Sequence, residues 1–156
     1  MKSAFALVLL GIASAAANSQ EVATCRNPAG KAFYHFDGVV GKADSGWADD
    51  KISDGVFTLV RSGNDVDVLF VDIRKKPISA TQAGAIVRLL RNTSTTITVL
   101  VHYPDGESTE IYSFFRERNG SHRFTMLLNR TGSTAMFPKS SLLVGPCEPI
   151  NFEAAK

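Results

Sequence analysis

From Thr96 to Asn129, apolar and polar residues alternate with a period of two. In the first segment, Ile97, Val99, Val101 and Tyr103 share one face, against Thr96, Thr98, Leu100 and His102. In the second, Tyr112 and Phe114 oppose Ile111, Ser113 and Phe115. In the third, His122, Phe124, Met126 and Leu128 oppose Arg123, Thr125, Leu127 and Asn129. Successive side chains of a strand point to opposite faces, so each segment carries one apolar face and one mixed face. The 3.6-residue period of a helix is absent. Pro104-Asp105-Gly106 supplies a turn, and Asn119-Gly120 is the strongest short-range hairpin signal in the chain. The pattern predicts three antiparallel strands in succession.

The rest of the chain continues this pattern. Lys31–Phe36 is a short aromatic strand, and Val56–Arg61 and Val66–Asp72 flank a Ser62–Asp65 turn. A weak internal repeat aligns Arg61–Asp72 with Arg91–His102 without a gap. The repeat bears on one ambiguous stretch. Ser79-x-x-Gln82 has the form of a capping box, and Ala83, Ile86, Val87 and Leu90 fit a helical face. Gly84 inside a helix would cost about 1 kcal/mol relative to alanine. The repeat pairs Ala85–Arg91 with Val56–Arg61, so a strand is predicted within 80–91 in preference to a helix. Thr134–Phe137 and Ser141–Val144 follow, separated by Pro138-Lys139. About eight or nine strands in one domain predict an all-β, antiparallel, up-and-down meander that forms a closed or nearly closed barrel, because closure removes exposed edges. A two-sheet β-sandwich is the alternative.

The first residues lower the number that must be folded. Met1-Lys2-Ser3, an apolar run from Ala4 to about Ala13 and Ala15-Ala16-Ala17 have the layout of a secretory signal peptide, with cleavage expected near Ala17. The apolar run falls short of the ~20 residues that span a bilayer, and no later segment reaches that length. Residues 1–17 are therefore read as a signal peptide, 18–150 as a single domain and 151–156 as a poorly ordered C-terminal tail. The expected location is secreted or periplasmic. In such a compartment the two cysteines, Cys25 and Cys147, are expected to pair, which leaves no thiol nucleophile. The formal net charge of +2 falls close to zero once Lys2 is removed, and the basic residues are scattered, so no nucleic-acid surface is predicted.

Candidate chemistry concentrates between Gly38 and Gly55. This loop-like stretch contains the single tryptophan, Trp47, and the aspartates Asp44, Asp49, Asp50 and Asp54. Loops longer than ~12–15 residues in compact domains are often functional. A helix-loop-helix calcium site is excluded, because a start at Asp50 puts Ile52 and Arg61 at ligand positions. His35, His102 and His122 fall on strands with no spacing that forces convergence on a metal. Ser45 lacks a Gly-x-Ser-x-Gly elbow, and no phosphate-binding glycine loop or Cys-x-x-Cys pair is present. Asn92, Asn119 and Asn129 begin glycosylation sequons, relevant only in a eukaryotic source. No cofactor and no metal is implied. The favoured reading is an exported, non-enzymatic binding protein. Its surface loop, with Trp47, Asp44, Asp49 and Asp50, would dock on another protein, as an inhibitor or envelope accessory factor does. One alternative is a carrier with a small apolar ligand inside the barrel. Another is a hydrolase using Ser45.

Overall fold

A computed structural model describes residues 19–37, 39–71, 75–132, 135 and 137–155. The predicted signal peptide and the Thr134–Phe137 strand lie wholly or mostly outside these residues. Eleven strands are present among the described residues, with no helix. They are β1 (Gln20–Arg26), β2 (Ala29–Tyr34), β3 (Gly46–Lys51), β4 (Val56–Ser62), β5 (Asp65–Val71) and β6 (Pro77–Ser79). Then come β7 (Ile86–Asn92), β8 (Thr96–Tyr103), β9 (Ser108–Arg116), β10 (His122–Arg130) and β11 (Lys139–Pro146). Every pairing is antiparallel. The three strands predicted from alternation are β8, β9 and β10.

The strands form two sheets, of order β1-β4-β5-β6 and β3-β2-β11-β10-β9-β8-β7. The expected closed barrel is not what the hydrogen bonding builds, and the two-sheet sandwich describes it better. The reason lies at the passage from β6 to β7. Asp67 on β5 accepts hydrogen bonds from the Ser79 hydroxyl and the Thr81 amide, which ties down the turn after β6. The chain then crosses to the other sheet instead of extending the ladder. The capping signal in this turn is real, since the Ser79 hydroxyl accepts from the Gln82 amide at 3.0 Å. Gly84, at φ +90°, ends the turn before a helix can propagate, and β7 follows.

Between the sheets lies the core. Ile97, Val99, Tyr112, Phe114, Phe124 and Leu143 of the larger sheet face Val22, Phe57, Leu59 and Val68 of the smaller. Phe57 reaches across to Tyr112 and Phe124, with ring centroids 5.9 and 5.5 Å apart. Gly145 makes the close approach of β11 to β1 feasible, because a Cβ there would meet Phe124 Cε1 at 2.5 Å and the Arg26 carbonyl at 2.7 Å. The Cys25–Cys147 disulfide joins the sheets at this corner. Beyond it the chain runs along the edge of β1, where the amides of Glu148 and Asn151 donate to the carbonyls of Thr24 and Val22. Ile150 is buried, and Phe152 and Ala155, in the segment expected to be a poorly ordered tail, are buried as well. Among the described residues, no helix is long and apolar enough to cross a membrane.

Candidate functional site

The stretch read as a long functional loop contains an edge strand. β3 pairs with β2, with Trp47 opposite Phe33 and Asp49 opposite Lys31. Its sequence, Gly-Trp-Ala-Asp-Asp-Lys, hides the strand because it is charged and poor in β-formers. Charged edge strands are how sheets avoid pairing with other chains. Strand geometry then separates the four residues assigned to this site. Trp47 and Asp49 project from the outer face of the larger sheet, and Asp50 projects inward. Asp44 lies in the preceding turn, where its amide donates to the Gly41 carbonyl. Trp47 is 72% exposed and packs edge-on against Phe33. Asp49 pairs with Lys31 at 2.6 Å, and the ammonium holds its carboxyl below the usual range. Asp50 pairs with Lys139 at 2.7 Å in a largely buried setting.

The inner face of the larger sheet holds a second candidate that alternation alone did not single out. Cross-strand partners define rows across β8, β9, β10 and β11. The deepest row is Ile97–Phe114–Phe124–Gly145, followed by Val99–Tyr112–Met126–Leu143. Next is Val101–Glu110–Leu128–Ser141, and the last is Tyr103–Ser108–Arg130–Lys139. The face is therefore apolar at one end and polar at the other. Over the polar end, between the sheets, lies a cavity of about 620 Å³. Its floor and walls include Phe57, Phe70, Met126 and Leu128. Exposed residues of two turns, Ala83-Gly84 and Asp105-Gly106, stand at its mouth.

Several polar groups converge there. Glu110 is 8% exposed and accepts a hydrogen bond from the Tyr112 hydroxyl at 2.6 Å. Burial pushes the Glu110 carboxyl up, against the opposing pull of Tyr112 and Arg130. Burial likewise raises the phenols of Tyr103 and Tyr112, and the nearby Glu110 carboxylate adds to both shifts. The Ser108 hydroxyl, in a residue 4% exposed, has no hydrogen-bond partner among the described residues. Ser141 Oγ, one row deeper, is unpartnered in the same way. A signal for this site was present in the sequence. Ser108 and Glu110 fall in phase with Tyr112 and Phe114, and Arg130 falls in phase with Met126 and Leu128, so polar side chains occupy core positions.

The outer face departs from alternation in the opposite sense. One row across the sheet reads Asp49–Lys31–Leu142–Leu127–Ile111–Leu100–Arg88. Its four central residues are apolar although they face away from the core. Leu127 and Leu142 are 47% and 46% exposed. Trp47, Ile111, Leu127 and Leu142 border a shallow depression of about 320 Å³ on this side. The neighbouring row is polar at its centre, between Ile86 at one end and Phe33 and Trp47 at the other. His35 Nε2 lies 3.2 Å from Ser140 Oγ, which donates to Asn129 Oδ1 at 2.7 Å, and His102 Nδ1 lies 3.0 Å from Thr109 Oγ1. Asn129 thus stands on β10, in line with the alternation of its segment.

The remaining sequence candidates stand apart. The Ser45 hydroxyl donates to the Lys42 carbonyl at 2.9 Å, its one side-chain hydrogen bond among the described residues. The three histidines are spread over β10, the outer face of β8 and the residue after β2. Among the described residues, no three His, Cys, Asp or Glu side chains are grouped to hold a metal. The disulfide leaves no free cysteine among them. No protein-family model, curated protein or solved structure matches this chain.

Proposed function

We propose that this protein is an exported, non-enzymatic binding protein that holds a small, largely apolar molecule between its two sheets. The observation that carries this reading is the Ser108 hydroxyl, buried and unpartnered in the wall of a cavity that joins apolar residues to a small set of polar ones. A buried polar group without a partner costs about 1–3 kcal/mol, and a ligand that supplies the missing bond recovers it. The cavity falls within the roughly 300–1,000 Å³ span of small-molecule sites, which combine apolar walls with a few convergent polar groups. The disulfide supports an oxidising compartment and, with it, export.

Native mass spectrometry tests the reading on protein exported by its own host and purified without denaturation. A stoichiometric additional mass of a few hundred daltons is expected. A bare mass that stays bare after incubation with an extract of the host's small molecules overturns it.

A second reading rests on exposed Leu142, Leu127 and Trp47, with the half-buried Ile111 and Leu100 continuing the row. Contiguous apolar surface on a sheet face marks an interaction site more often than chance exposure does. In this reading the outer face docks on another protein, as an inhibitor or envelope accessory factor does. A Trp47→Ala, Leu127→Asp double variant that still retains every co-purifying host protein would remove its basis.

A further inference from the structure

We infer that the molecule held between the sheets is an amphiphile with a single carboxylate head. Arg130 and Ser108 take the head, and Phe57 and Phe70 take the apolar body. This inference rests on the carrier reading above and names its ligand class.

The argument is one of charge and unfilled bonds. The polar row at the mouth contains two cations, Arg130 and Lys139. Lys139 is already matched by Asp50, at 2.7 Å, and stands over the Tyr34 ring. Among the described residues the Arg130 guanidinium makes no ion pair and no hydrogen bond. Directly beside it in the same row is Ser108, with its unpartnered hydroxyl. A planar guanidinium and an adjacent hydroxyl match the two oxygens of one carboxylate. A neutral ligand would leave the half-buried Arg130 with Glu110 as its nearby opposite charge and no hydrogen-bonded anion.

Two carboxylates line the cavity and oppose this assignment, Asp105 in an exposed turn at the mouth and Glu110 in the wall; the buried Glu110 supplies the sharpest test. It sits one row deeper than Ser108 on the same strand, and its carboxyl is held by the Tyr112 hydroxyl. As a negative charge near the head it weakens the binding of an anion. Replacement by glutamine keeps the shape and an acceptor for Tyr112 while removing the charge. Glu110→Gln should therefore tighten the complex, the reverse of what a contact residue usually does.

Calorimetric titration of the mature, disulfide-bonded protein with laurate, dodecanol and dodecyltrimethylammonium near neutral pH decides the matter. Laurate is expected to bind at least ~10-fold more tightly than dodecanol, and the cation not to bind, given the size of charge-assisted hydrogen bonds. Arg130→Met should weaken laurate by roughly 10- to 100-fold and dodecanol by a much smaller factor. Retained dodecanol binding also shows that the variant is folded. Ser108→Ala should weaken laurate by a smaller factor, and Glu110→Gln should strengthen it. Equal binding of acid and alcohol, or indifference of laurate to Arg130→Met, would overturn the carboxylate assignment and leave the carrier reading standing. Preference for the cation, weakened by Glu110→Gln, would reassign the head to a positive group. If none of the three probes binds to wild type or any variant, both inferences fall.

Discussion

The two faces of the larger sheet are made by alternate residues of the same strands, yet they depart from the expected pattern in opposite ways. The inner face is apolar where Phe114, Phe124 and Ile97 lie fully buried. It becomes polar toward Ser108, Glu110, Arg130 and Lys139, where the smaller sheet no longer closes over it and a cavity opens. The outer face carries a run of apolar residues in the middle of one row, Leu142, Leu127, Ile111 and Leu100, with Phe33 and Trp47 at the end of the next. An antiparallel sheet with one wet face needs only apolar residues inside and polar residues outside. Folding alone asks for neither exception. Alternation therefore identifies the strands, and the breaks in alternation identify the two surfaces on which the proposed readings rest.

The largest effect should come from the link that holds the inner face under its cover. The Cys25–Cys147 bridge closes a separation of 122 residues. Replacing both cysteines by serine should cost about 5 kcal/mol in the chain-entropy model, read as a drop in the denaturation midpoint. A loss below ~1 kcal/mol would mean that the sheets hold together without the staple. The next contrast sets the faces against each other on one strand. Phe124→Ala, on the inner side of β10, should cost about 3–5 kcal/mol. Leu127→Ala, three residues along and half exposed, should cost well under half of that. Comparable losses would show that the outer row is covered, by a partner or a second copy, in the protein as it exists in solution.

Much of this fold was legible from alternation. The β8–β9–β10 meander, the β4–β5 hairpin and the disulfide follow from residues whose local pattern agrees with their tertiary setting. What was hidden is what local pattern does not encode. β3 carries no apolar alternation, because it is an edge strand with charges on both faces. Burial of the C-terminal segment depends on Phe152 finding the core, and three apolar residues give no periodicity. The choice between barrel and sandwich turned on Asp67 anchoring a turn twelve residues away, a contact invisible from spacing. The residues of the presumed loop are placed differently from the expectation. Trp47 is exposed as an anchor should be, but on a strand. The cavity was legible in part, since Glu110 and Arg130 interrupt apolar faces in phase, a sign that outranks the visible richness of an acidic loop.

A pH titration sharpens the inner half of the comparison. Burial raises the Glu110 carboxyl in the folded protein, so the folded state holds its proton to higher pH than the unfolded state does. The group's favourable contribution is complete below the unfolded value, and it is lost as pH rises through the folded value. Wild-type protein should therefore lose stability relative to Glu110→Gln as pH rises above the ordinary carboxylate range. Urea midpoints for both proteins, measured in parallel across that range, give the difference. Two parallel curves would mean that Glu110 is solvated or neutralised by a partner.

The finest contrast is between two neighbouring aspartates that look equivalent in the sequence. Asp50 faces inward, and both it and Lys139 are largely buried. Asp50→Asn removes one charge from a desolvated pair and should cost about 1–3 kcal/mol, the range for hydrogen bonds to charged groups. It also frees Lys139 at the mouth, which should strengthen the binding of an anionic probe. Asp49 faces outward and pairs with Lys31 in full contact with water. Solvent and salt screen such a pair, and holding two flexible side chains together offsets most of what remains. Asp49→Asn should leave the denaturation midpoint where it is, at low salt as at high salt. A clear loss would place the Lys31 end of the outer row in a drier setting than an open face provides, and would count in favour of a partner seated on it.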